Sequence, residues 1–230
     1  MNDRLWWRLA ASSGILYVGL GLAHSGGGGG VGFGDSRANI ASWVGGTLGP
    51  RGVSWLGVYT GILGLLCLVI FAAVVAAAVR RSEGAQPGIS YVTFGAGVLA
   101  VAVKLASLPA AFALAYRAHE GVEPQLAAAL TDMNDFSFVL TWPLLALMIG
   151  AAAVAILRYG VLVAWLGWLG VGVALALFAA VPLAFGPGPF IAFIASSVWI
   201  VLASATMVLR PGSDFQPVST HEATFRPATP

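Results

Sequence analysis

Lys104 sits in the apolar stretch Tyr91–Tyr116, with no charged residue for more than two turns on its N-terminal side. A lysine near the centre of a bilayer costs about 2.5–3.5 kcal/mol on insertion scales; residues that carry this cost usually face a bundle interior, pair with another group, and mark a pathway or a site. Its neighbours at helical spacing are Gly97, Ala100, Val101, Ser107, Leu108 and Ala111. That face is mostly small and suits packing on another helix, with Val101 and Leu108 at its edge. At about 1.5 Å per residue, Lys104 lies about 20 Å from the inner end of its helix and hence in the outer half of the membrane.

Its candidate partners follow in the next apolar segment. Asp132 and Asp135 are three residues apart and share one helix face, which continues through Val139 and Trp142. Asp135 falls at or just above the outer boundary, and a lysine can extend its head toward that boundary, so a Lys104–Asp135 pair is geometrically reasonable. His24, Tyr59, Thr60 and Asn134 lie at similar depth. Pro109 and Pro143 fall in the same half, and each frees a carbonyl four residues earlier. The candidate ligand-binding set is therefore Lys104, Asp135, Asp132, His24, Tyr59 and Asn134, a polar cluster opening outward. Two chemistries fit it: a site for a small ligand, ion or proton, or a lysine that only snorkels or locks two helices in register.

Sharper catalytic patterns fail on spacing. His119-Glu120 begins like a zincin site, but Glu123 stands where a second histidine is needed, so the segment reads as an outer loop with solvated charges. Gly52-Val53-Ser54-Trp55 lacks the closing glycine of an intramembrane serine protease site, and no histidine lies mid-span to act as base. Three histidines, none paired within a span, argue against a bis-histidine haem. Cys67 is alone in an apolar run, which excludes a disulfide framework and a cysteine metal site. No cofactor or metal is implied, and no nucleophile–base set for an enzyme is visible. Nucleic acid is not implied as a partner either: the basic residues are scattered singly or in pairs.

The elements that hold these residues follow from composition. Hydrophobic residues make up 59% of the chain and charged residues 9%, with a mean hydropathy of +0.89. Soluble domains run near 25% charged residues, so this surface needs a lipid bilayer as its solvent. Runs long enough to cross occur at about Trp6–Ala23, Trp55–Val79, Tyr91–Tyr116, Phe136–Leu157, Val161–Leu183 and Phe190–Leu209. The intervening loops are Ser25–Gly52, Arg80–Ser90, Arg117–Asp135, Arg158–Gly160 and Phe185–Pro189. Alternating segments of about 10 residues, the mark of a β-barrel, are absent. The expected fold is all-α: a polytopic bundle of about six spans in one domain over residues 1–210, with a disordered cytoplasmic tail over 211–230.

With the N-terminus in the cytoplasm, Arg4, Arg8, Arg80, Arg81, Arg158, Arg210 and Arg226 lie inside, against Arg37, Arg51 and Arg117 outside. The positive-inside rule then puts both termini in the cytoplasm. Arg4, Arg8 and Leu9–Ala23 resemble a signal peptide, but Trp6 and Trp7 fit better as interfacial anchors of a retained helix. The run Gly26–Gly30 lacks the strand, helix and Lys-Ser or Lys-Thr of a phosphate loop and reads as a flexible external loop. Within that loop, Ser36–Val44 is expected to form a short interfacial helix with Trp43 at headgroup level. Ser54-Trp55-Leu56-Gly57 and Ala164-Trp165-Leu166-Gly167 share three identities, which raises an inverted three-plus-three repeat as a test.

From Asp132 to Gly170 the chain runs from an Asp-bearing helix entry to Ala155-Ile156-Leu157-Arg158, a short turn, and Trp165-Leu166-Gly167-Trp168-Leu169-Gly170. This pattern resembles the uncharacterised six-helix membrane proteins of bacterial domain-of-unknown-function families. A Pro often precedes the first Trp there, where this chain has Ala164. The resemblance covers about 40 residues, implies a bacterial inner-membrane protein, and transfers no functional residues. The expectation is a multi-pass inner-membrane protein, a small-ligand or ion transporter or sensor with an outward-facing polar site. The alternative is an accessory or assembly subunit in which Lys104 is structural and small-residue faces dock a membrane-protein partner or a second copy.

Overall fold

In a computed structural model, the structure describes residues 3–25, 35–48, 55–84, 88–184 and 190–209, and no strand occurs among them. The helices are α1 (Asp3–Ala11), α2 (Ser13–Ser25), α3 (Arg37–Trp43, continued by a π-turn over Val44–Leu48), α4 (Trp55–Glu83) and α5 (Ile89–Arg117). A 3-10 turn at Ala118–Glu120 leads to α6 (Pro124–Tyr159), then α7 (Ala164–Ala180), a second 3-10 turn at Val181–Leu183, and α8 (Phe190–Leu209). Five helical segments are long and apolar enough to cross a membrane: Leu56–Glu83, Ile89–Arg117, Pro124–Tyr159, Ala164–Leu183 and Phe190–Leu209.

The first expected span, Trp6–Ala23, is two helices meeting at Ser12. Backbone bonds still cross the joint, from the Ser12 N–H to the Arg8 carbonyl (3.0 Å) and from the Leu16 N–H to the Ser12 carbonyl (3.1 Å), while the Ser12 Oγ donates to the Leu9 carbonyl (2.7 Å) and the Ser13 Oγ to the Ala10 carbonyl (2.6 Å). The next residue, Gly14, is pressed so closely against Ser204, Phe71 and Ile200 that no side chain would fit.

The expected outer loop Arg117–Asp135 is also different. Helix α6 begins at Pro124, so Asp132, Asn134 and Asp135 lie within it. Pro124 occupies the first turn, where a missing N–H costs nothing, and Leu126-Ala127-Ala128-Ala129-Leu130 propagates the helix with strong formers. Hydropathy marks where apolar residues thin out, not where hydrogen bonding stops. At 36 residues α6 is about 54 Å long, well beyond a hydrocarbon core of about 30 Å. Its first turns bind α3, whose Ile40 and Val44 bury against Leu114, Ala118 and Ala127. The Ser36 hydroxyl caps α3 by accepting from the Asn39 N–H (3.1 Å), so the short helix expected over Ser36–Val44 is present.

The main core surrounds α6, whose Leu145, Met148, Ile149 and Ile156 are buried together with Trp142. Small residues set the spacing. A Cβ on Gly97 would lie 2.5 Å from the Ala72 Cβ and 3.0 Å from the Met148 Sδ, so α4 and α5 meet there at backbone distance with the Met148 side chain of α6 laid against the glycine. On the other side, a Cβ on Gly170 would fall 2.9 Å from the Ala153 Cβ, and one on Gly167 2.7 Å from the Leu157 Cγ. The Trp199 indole N–H of α8 donates to the Leu166 carbonyl (3.0 Å). The Trp-Leu-Gly-Trp-Leu-Gly run is thereby explained: its glycines seat α7 on α6, while Trp165 and Trp168 are exposed, as lipid-facing belt residues would be. The two tetrads of the suspected repeat differ in setting, Leu56 being 77% exposed and Leu166 0%.

At the end that holds the start of α1 and the end of α4, Arg81 stacks over the Trp7 ring (4.8 Å). The Glu83 carboxylate accepts from the Gly88 N–H (3.3 Å), the Ser90 N–H (3.0 Å) and the Ser90 hydroxyl, clasping the turn between α4 and α5. Gly84 (φ +74°) and Gly160 (φ +66°) end α4 and α6 in the left-handed region. Residues 26–34 and 210–230, which contain the glycine run and the expected tail, lie outside the described residues.

Candidate functional site

Lys104 stands midway along α5, and its small face is packed as its spacing predicts: Gly97, Ala100, Val101 and Ser107 are buried. The helix pair α5–α6 carries the site, and two turns below it the Met148 side chain of α6 packs against Gly97 of α5. Its Nζ donates to the Asn134 Oδ1 (2.8 Å) and, with a longer contact of 3.3 Å, to the Asn134 carbonyl. The Asn134 amide then donates from Nδ2 to the Asp135 Oδ1 (3.2 Å). The ammonium also lies 5.9 Å from the centroid of the Phe138 ring, within cation–π range.

Lys104 and Asp135 are thus joined through one amide rather than in direct contact, and no carboxylate oxygen among the described residues comes within 4.0 Å of the ammonium. Both charges are half-buried. Serine and threonine side chains near them are spent locally: Ser107 Oγ donates to the Lys104 carbonyl (2.9 Å), Ser137 Oγ to the Asn134 carbonyl (2.5 Å), and Thr141 Oγ1 to the Phe138 carbonyl (2.6 Å). The Asn134 carbonyl thus meets these two side-chain donors besides its own helix partner, the Phe138 N–H, and shares its lone pairs among them.

Below the amide the site is aromatic. Phe138 packs edge-on to Trp142 (5.7 Å) and Phe193 (4.8 Å) and stacks with Phe190 (6.3 Å), so the first turns of α8 close the floor. Trp142 is 1% exposed and its indole N–H has no hydrogen-bond partner. Pro143 follows it and cannot donate to the Val139 carbonyl.

Of the expected set, Lys104, Asn134 and Asp135 come together. Asp132 is half-buried on α6, one turn before Asp135, outside their chain of hydrogen bonds. Tyr59 is 61% exposed near the start of α4 and takes no part in that chain. His24 lies in the last turn of α2, and its side chain is outside what the structure describes. Phe138 and Trp142 are additions as site walls; a signal for Phe138 was its spacing of four from Asn134, which places it on the same side of α6. Comparison with protein-family models, curated proteins and solved structures finds no match to this chain.

Proposed function

We propose that this chain is a multi-pass bacterial inner-membrane protein of the kind its Trp-Leu-Gly-Trp-Leu-Gly segment resembles, a small-ligand or ion transporter or sensor working through an outward-facing polar site at Lys104. In this reading α1 and α2 together make a sixth crossing, and both termini are cytoplasmic. The observation that carries it is the state of the ammonium. A charge worth about 2.5–3.5 kcal/mol of insertion cost is held on a neutral amide rather than on the carboxylate beside it. A lysine that served only as a helix lock would gain most from direct contact with Asp135, since attraction between unit charges rises steeply at short range in a weakly screened setting.

The chain contains a single lysine, which makes the test specific. A membrane-impermeant amine reagent added to the outer side of oriented vesicles has two classes of target, Lys104 and the N-terminal amine, which separate on peptide mass. Modification of Lys104 from the outer side is expected. Modification of the N-terminus alone, from the inner side, with Lys104 inert from both, would refute an outward-facing site.

A second reading, an accessory subunit docked to a partner or to another copy, has its own observation. Leu126, Met133, Leu140, Leu147 and Val154 of α6 are all exposed and recur every seven residues. That spacing is the one helices use to pack along a left-handed seam. Recovery of a defined oligomer in mild detergent, lost on Leu140→Ala with Leu147→Ala, would favour it.

A further inference from the structure

From the separation of charge at Lys104 and Asp135, we infer that the site takes a small zwitterion, its anionic group on the Lys104 ammonium and its cationic group on the Asp135 carboxylate. This rests on the ligand-binding reading above and narrows it to a substrate class. The two charges are more than 4.0 Å apart, and no more than about 8 Å apart along the two hydrogen bonds and the amide between them. Each has capacity left over. The ammonium has three hydrogens and two acceptors, both on Asn134. The Asp135 carboxylate receives one hydrogen bond, from the Asn134 Nδ2. Asn134 acts as a wedge: its oxygen faces the cation and its nitrogen faces the anion, so it satisfies both without letting them meet.

Such a pair discriminates by charge. A simple anion drawn to Lys104 is opposed by Asp135, and a simple cation drawn to Asp135 is opposed by Lys104. A molecule carrying both signs a few bonds apart is attracted at both ends and replaces one bridged interaction with two direct ones. The Phe138 ring beside the ammonium supplies an apolar wall for the short chain linking the two groups. The same chemistry is borne by free amino acids and betaines and by the headgroup of a zwitterionic lipid.

The test uses the full chain in phosphatidylglycerol nanodiscs, which offer no zwitterionic headgroup. Isothermal titration compares glycine, β-alanine, 4-aminobutyrate, 5-aminopentanoate and glycine betaine with the carboxylates and amines of equal length. At least one zwitterion is expected to bind tenfold or more tightly than its matched carboxylate and amine, and to lose tenfold or more in both Lys104→Met and Asp135→Asn. Asn134→Ala keeps both charges but removes the wedge, so Lys104 and Asp135 close on each other and binding falls by a similar factor. Melting curves of each variant separate lost binding from lost folding. Phosphatidylethanolamine discs distinguish the sources: a headgroup occupant raises the melting temperature there and competes with the soluble probe, whereas a free solute binds equally in both. A carboxylate that binds as well as the zwitterion, unaffected or tightened by Asp135→Asn, overturns the proposal in favour of an anion site and leaves the ligand-binding reading standing. An amine that binds as well, unaffected by Lys104→Met, overturns it in favour of a cation site. Absence of both probe binding at about 10 mM and a phosphatidylethanolamine effect also overturns it, while outer-side labelling of Lys104 still decides the broader reading on its own.

Discussion

Gly97 offers a direct way to test the backbone-distance packing of α4 on α5, the helix that carries Lys104. In Gly97→Ala the new methyl would lie 2.5 Å from the Ala72 Cβ and 3.0 Å from the Met148 Sδ. The sulfur belongs to a flexible side chain and can move aside. The Ala72 Cβ is fixed to its backbone, so α4 and α5 must separate by about 1 Å to reach ordinary contact. Overpacking of this kind costs about 1–3 kcal/mol, and the rigid contact puts this case toward the upper end. Alanine returns about 0.8–1.0 kcal/mol of helix propensity over glycine, so the net loss should be about 1–2 kcal/mol. Ala72→Gly removes the obstructing atom but gives up the same propensity on α4. Rescue is therefore expected as a coupling energy of about 1–2 kcal/mol in the double-mutant cycle rather than as full recovery of stability. Reversible unfolding in mixed micelles reads all four proteins. A stable Gly97→Ala protein, or a coupling below about 0.5 kcal/mol, would show that α4 and α5 are not in backbone contact at this level.

Further outcomes follow from the same geometry. Lys104→Met should leave stability unchanged or raise it, because an insertion cost of about 2.5–3.5 kcal/mol is lifted and only bonds to a neutral amide are lost; a fall of several kcal/mol in denaturant titration would instead mark a helix lock. Trp199→Phe keeps a ring packed against Phe71 but removes the indole N–H bond to the Leu166 carbonyl, which retains its own helix bond, and should cost about 0.5–1.5 kcal/mol in the same assay. Glu83→Ala strips three acceptor contacts from the turn between α4 and α5; the melting temperature should drop, with amide exchange at Gly88 and Ser90 rising more than elsewhere, and uniform exchange would contradict a local clasp.

What the sequence made legible, and what it hid, divides along physical lines. Lys104 stood out because one charge in an apolar run is visible at any alignment, and the small face around it was readable because side-chain direction in a helix follows from spacing alone. The length of α6 was hidden, since Pro124-Gln125-Leu126-Ala127 is helical by propensity and hydrogen bonding yet too polar at its start to register as a span. The break at Ser12 was hidden for the opposite reason: Leu9–Ala23 reads as one apolar run, and hydropathy does not register a single-residue departure from helix within it. At the site, depth alone grouped Asn134 with Asp135. Which of the two meets the lysine depends on about 100° of rotation around α6, and that rotation is set by packing contacts such as Met148 against Gly97.

That dependence ties the glycines to the chemistry. Lipid tails are as apolar as leucine, so helices in a bilayer gain little from burying apolar surface against one another and rely on close packing for cohesion. On one flank of α6 the Met148 side chain is laid against Gly97 of α5, and on the other Gly170 brings α7 to backbone distance, so α6 between them has little freedom to turn. A lysine has rotatable bonds enough to seek the nearest carboxylate, and only a stiff partner can deny it. With α6 fixed in rotation, the amide of Asn134 faces Lys104 and the Asp135 carboxylate is carried to the side. Gly97→Ala should therefore change more than stability: displacing the Met148 side chain loosens the seat of α6 on α5, Asp135 can swing toward Lys104, and the bridged pair should collapse into a direct one. Because Lys104 is the chain's one lysine, reductive ¹³C-methylation would place a single internal reporter on its ammonium. Its resonance should shift in Gly97→Ala in the direction seen for Asn134→Ala; an unchanged resonance in the destabilised variant would mean that the charges are held apart by the amide alone, without help from the frame.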